Sequence, residues 1–148
     1  MLHESKPWTL SSILLAAAGA TLVITGLYFI LVRPPLLPED VRYMALPAAQ
    51  FDAVKPRLEL WLAHVFQVMG GYVLATGVLT ITLAATSFRT HHWGAAVGAL
   101  IGGAAFIGWM AVVNFVINSD FKWVLLGMAL LWARSLVLFW LEKNSQRA

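Results

Sequence analysis

The stretch WTLSSILLAAAGATLVITGLYFILV, from Trp8 to Val32, carries no charged residue. About 20 residues of this kind cross a hydrocarbon core of about 30 Å as an α-helix. A secretory signal is the rival reading, because Lys6 precedes the run and the small residues Ala16 to Ala20 imitate a cleavage site. The apolar part of a signal is only about 7 to 15 residues long. Here the run continues apolar through Leu22, Val23, Ile24, Tyr28, Phe29 and Ile30, so it is expected to remain as an anchor.

Three more runs of spanning length follow, Leu60 to Thr86, Trp93 to Ile117 and Phe121 to Leu141, and Arg134 is the one charge well inside any of them. Trp8, Trp61, Trp93, Trp123 and Trp140 fall close to the expected ends, where an indole buries its ring and keeps its N–H at headgroup level. Barrel strands are about 10 residues long and alternate apolar with polar. These runs are continuously apolar, which leaves helices to satisfy the backbone in lipid. The expected fold is therefore all-α, an integral membrane four-helix bundle forming one domain over the whole chain, with a long Pro-rich connection between helices one and two.

Composition agrees. Charged residues make up 11% of the chain and mean hydropathy is +0.78, against about 25% charged residues in soluble domains. The 10 Lys and Arg are scattered between the apolar runs, without the clustered stripe that nucleic acid requires. No nucleic-acid partner is expected. The absence of cysteine excludes disulfides, thiolate metal sites and Cys-x-x-Cys redox chemistry.

The connection from Arg33 to Glu59 opens with Pro34, Pro35 and Pro38, which favour an extended path. Glu39 and Asp40 then suit the first turn of a short interfacial helix over Glu39 to Met44, ended by Pro47, with Pro56 standing before helix two. The other links, Ser87 to His92 and Asn118 to Asp120, are tight, so helices two, three and four are expected to be antiparallel neighbours. Both termini share one side of the bilayer, the terminal side, and the long connection lies on the other, the loop side. Lys6, Arg89, Lys143 and Arg147 stand against Arg33, Arg42, Lys55, Arg57 and Lys122. That balance does not fix orientation, and cytoplasmic termini are kept as the working choice.

In the third run Gly94, Gly98 and Gly102 recur every fourth residue beside a second row, Ala95, Ala99 and Gly103. Small-xxx-small rows let membrane helices approach closely. This makes helix three the expected central helix, although the same geometry serves a homodimer face. Gly70, Gly71 and Gly77 offer helix two a similar surface, and Ala16 to Ala20 offer one on helix one.

Aligned by depth, Tyr28, His64, Gln67, Asn114 and Asn118 lie toward the loop side, with Glu59 and Asp120 at its rim. His64 and Gln67 share one face by their spacing, as do Asn114 and Asn118. The two faces are expected to meet across helices two and three. They either bind the polar end of a lipophile such as a quinone, sterol or lipid, or hydrogen-bond one another between helices. Arg134 is read either as snorkelling to the near interface or as meeting an anionic ligand or a partner's acid. His91 and His92 are adjacent and lack an accompanying carboxylate, so no metal site is expected. No span contains a carboxylate, and no catalytic constellation or cofactor fingerprint is found beyond a lipid or quinone that the bundle could hold.

The four-span plan, the size and the proline-rich first connection resemble the DoxX-like group of small bacterial membrane proteins, which implies an inner-membrane location. Pro38-Glu39-Asp40 and Ala63-His64 also resemble features of the membrane-associated eicosanoid and glutathione metabolism family. There the chain departs, reading Val65-Phe66-Gln67 where that family has an Asn and Glu pattern. The expected function is noncatalytic: an accessory subunit of a membrane complex or a binder of a lipophilic molecule, with membrane lipids, a membrane-protein partner or a second copy as partners. Glutathione-type conjugation of a lipophilic substrate is the enzyme alternative.

Overall fold

A computed structural model describes residues 7–145. Lys6 and Arg147, used in the charge comparison, lie outside the described residues. The described chain is helical, with four helices long and apolar enough to cross a membrane. Helix α1 (Leu10–Leu31) is followed by the short α2 (Pro38–Met44). Helix α3 (Ala48–Leu83) runs on through a π-turn at Ala84–Phe88. The third span joins α4 (Trp93–Gly103) to α5 (Trp109–Val116) through a second π-turn at Ala104–Gly108. Helix α6 (Lys122–Ser145) is the last described element.

Local chemistry explains most of the ends. Thr9 caps α1: its hydroxyl accepts the Ser12 N–H at 3.3 Å, and the Ser12 hydroxyl accepts the Thr9 N–H at 3.1 Å, a reciprocal capping box. Pro38 opens α2, where a missing N–H costs nothing, and Asp40 Oδ2 accepts the Leu37 N–H at 2.9 Å. Asn118 turns the chain with φ 52°, a left-handed conformation that asparagine tolerates.

Helix α3 starts at Ala48 rather than Leu60 and holds Pro56 inside it. Its length of about 54 Å exceeds a hydrocarbon core by many residues, so its first turns extend beyond the other helices. There the residues from Asp52 to Arg57 are exposed, and water can satisfy the carbonyl that Pro56 leaves without a donor.

The neighbour relations differ from expectation. Helix α1 packs along both α3 and α6, and α6 packs along α4 and α5, so α1 and α6 are central. Helices α3 and α4 meet only near the π-turn ahead of their tight link. A short turn brings two ends together but does not force two faces to pair.

The faces are chosen by close approach. A Cβ on Gly26 would lie 2.5 Å from the Leu74 nitrogen, and one on Gly77 would lie 2.7 Å from the Gly19 carbonyl oxygen. Gly19 and Gly26 thus meet Gly77 and Gly70, antiparallel, with backbone against backbone. Gly71 is not used, and a Cβ there would meet nothing within 4 Å.

The third span is also turned differently. Gly94 and Gly98 are exposed, and Cβ atoms at Gly98 and Gly102 would meet nothing within 4 Å, so among the described residues this row packs against no other helix. Ala95, Ala99 and Gly103 are buried instead. A Cβ on Gly103 would overlap the Trp132 indole, whose Nε1 donates to the Ala99 carbonyl at 2.9 Å. The indole fills the space of the small row and makes α6, not α3, its partner. The buried row continues through Ile107 and Ala111. In an unbroken α-helix a strict four-residue row swings roughly 160° over those four steps; the wider π-turn takes up an extra residue and swings it back.

Candidate functional site

Helices α1 and α5 both lean on α6 but do not pack along each other. A cavity of about 320 Å³ lies between them, with α2 over its loop-side end. Ile24 and Phe29 of α1, Met110 of α5, and Leu125 and Met128 of α6 make apolar walls. Tyr28, Arg33, Glu39, Asp40, Asn114 and Ser119 gather toward the loop side. The volume is near the low end of ligand pockets, about 300 to 1,000 Å³.

Two charged groups at this end play different parts. Arg33 is pinned by its neighbours. Its Nη1 donates to the Pro34 carbonyl at 2.9 Å, its Nη2 pairs with Asp40 Oδ2 at 3.2 Å, and its guanidinium lies 3.4 Å from the Phe66 ring centre. Its side chain is only 7% exposed. Burial draws its pKa below the ordinary value, while the charge and hydrogen bond of Asp40 act in the opposite direction. Arg33 thereby ties the end of α1 to α2 and, through Phe66, to α3.

Glu39 is 3% exposed, and the Ser119 hydroxyl, itself buried, donates to its Oε1 at 3.3 Å. That is the one hydrogen bond its carboxylate makes among the described residues. A carboxylate accepts at about four positions, so Glu39 retains capacity toward the cavity. The Asn114 amide donates to the Met110 carbonyl at 2.9 Å, which leaves its oxygen to accept. The mouth thus offers acceptors and the Tyr28 hydroxyl.

The structure brings Tyr28 and Asn114 together on this cavity and leaves the other expected residues outside it. His64 and Gln67 are exposed on α3, and His64 Nδ1 lies 2.7 Å from the Leu60 carbonyl oxygen of its own helix. The expected meeting of polar faces across helices two and three does not form, because the Gly70 and Gly77 face of α3 turns toward α1. Asn118 is exposed at its turn, where its side-chain oxygen accepts from Lys122 and its carbonyl from Arg42. Arg134 is exposed on α6, away from the cavity. Arg33, Glu39 and Ser119 were not singled out from sequence. Their signal was present in a charge directly after α1, an acidic pair after Pro38, and a serine beside the turning Asn118.

A second polar cluster closes the terminal side. Glu142 accepts from both the Ser11 hydroxyl and, at 3.1 Å, the Ser11 N–H, and its Oε2 lies 3.2 Å from His91 Nε2. His91 is buried against Phe139, with ring centres 5.0 Å apart, and its Nδ1 has no partner among the described residues. In a Ser-His-acid triad the imidazole stands between the hydroxyl and the acid. Here the carboxylate stands between, so the arrangement fastens α1, the Arg89–His92 link and α6 together. Comparison of the chain with protein-family models, with curated proteins and with solved structures finds no match.

Proposed function

We propose that this is a noncatalytic membrane protein that holds a lipophilic molecule in the α1–α5 cavity. Its polar end would hydrogen-bond Glu39, Asn114 and Tyr28, and its apolar part would lie between α1 and α5. The observation that carries this reading is the buried Glu39 carboxylate, with one protein hydrogen bond, at the polar end of an apolar cavity. Buried acceptors need partners. The Glu39 carboxylate repels an anion and the Arg33 charge is already paired with Asp40, so the favoured head group is a donor, such as a hydroxyl or ammonium.

Native mass spectrometry of gently extracted protein, with small-molecule analysis, tests this. The wild type is expected to retain one lipophile per chain, and Met128→Trp, which fills the cavity, to lose it. Equal retention by both, with the variant folded, would sink the proposal. An integral membrane location follows from the four apolar helices. A bacterial inner membrane with cytoplasmic termini is the setting we propose, to be checked by reporter fusions at both ends.

A further inference from the structure

Arg134 stands apart from the cavity. It lies about 13 Å from Lys143 and about 18 Å from Lys122 along α6, close to mid-depth. Side chains on an α-helix lean toward its N-terminus, which for α6 is the loop side and the farther edge. Snorkelling to the nearer edge therefore runs against the lean of the side chain.

Arg134 is exposed and takes part in no ion pair among the described residues. It sits in a groove of about 1080 Å³ formed by α6 and Leu14 of α1. Gly127, Leu131, Arg134 and Leu138 line the groove as one helical stripe. A Cβ on Gly127 would meet only open space, so another backbone can come close there. Lipid tails could fill the groove but would leave the guanidinium unpaired, and intramembrane charges pair with other groups or face water.

A second copy of this chain does not complete the groove. Among the described residues the carboxylates lie on the loop side, on the first turns of α3, or at the terminal end of α6. A two-fold contact through this stripe would set Arg134 against Arg134. We propose that the α1–α6 groove receives a transmembrane helix from a different protein, which carries an Asp or Glu near mid-bilayer and pairs with Arg134. The planar guanidinium matches a carboxylate with two parallel hydrogen bonds, and in a low dielectric such a pair discriminates strongly against uncharged helices.

The test places a photo-crosslinking benzophenone side chain at Leu130 or Val137 of the full chain in its native membrane, with adducts identified by peptide mass spectrometry. The expected adduct is one apolar segment bearing a mid-span Asp or Glu. Its yield should fall at least about ten-fold in Arg134→Leu and by less in Arg134→Lys, which keeps the charge but loses the two parallel hydrogen bonds. Exchanging the charges, with Arg134→Asp and the partner's acid replaced by Arg, should restore it. Adducts confined to lipid, to a second copy or to a span without a carboxylate would overturn the proposal, as would an unchanged yield in Arg134→Leu. If that variant misfolds, neutralising the partner's acid to its amide gives the same reading with this chain intact. Lipophile retention at the α1–α5 cavity, measured in the same extracts, should not follow the adduct yield.

Discussion

The two ends of the bundle use similar side chains to opposite effect. On the terminal side Glu142 receives two donors from Ser11 and approaches His91, and Phe88 and Phe139 close the space beneath, with ring centres 4.6 Å apart. On the loop side Glu39 receives one hydroxyl, and α1 and α5 stand apart below it. A carboxylate with several partners above a packed core holds helices together. One that is buried beside empty space is arranged for something else. Serine and glutamate appear in both clusters, so residue identity does not separate them; the number of partners and the packing beneath do.

The sharpest way to break this comparison is Glu142→Ala. It removes the acceptor shared by Ser11 and His91 and is expected to cost about 2 to 4 kcal/mol of stability, measured by SDS-titration unfolding, while leaving lipophile retention unchanged. A loss near zero would show that the terminal cluster fastens nothing. Glu39→Gln should do the reverse. Its shape and the Ser119 bond are kept, so stability should change by less than about 1 kcal/mol. Retention of a donor-headed lipophile should fall about ten-fold, equivalent to about 1.4 kcal/mol. If stability drops and retention holds, the two ends are alike.

The smallest effect is expected from Gly98→Leu, on the terminal-side half of the third span. A side chain there enters open space, and stability should stay within about 0.5 kcal/mol. A change in native mass from dimer to monomer would mark that row as a contact between copies. An unfolded variant would mean that the row packs within the chain after all.

The four apolar runs were legible from composition, because lipid demands uninterrupted apolar helices whatever their neighbours are. Several ends were also encoded locally, by Thr9 with Ser12, by Pro38 and by Asn118. Helix order was harder to read, because small residues recur on α1, α3 and α4 alike and nothing local says which rows meet. The decisive pieces are Gly19 and Gly26 against Gly77 and Gly70, and the Trp132 indole against Gly103. Both are long-range matches of shape. Once Gly70 faces α1, His64 lies about 120° away round α3 and is exposed there, a direction that its spacing from Gln67 does not reveal. Tyr28 and Asn114 do reach one cavity, although their neighbours there come from α2 and from the link before α6, segments whose path the apolar pattern does not constrain.

The wide turn at Ala104–Gly108 gives the third span a spare residue. Losing Ala105 would let that turn anneal into ordinary helix while both halves kept their bearing, and Asn114 would stay on the cavity wall. Losing Val112 instead would rotate everything after it by about 100° and carry Asn114 off the wall. Length in this span thus acts as an angular setting, with one position along it where a deletion leaves the angle alone.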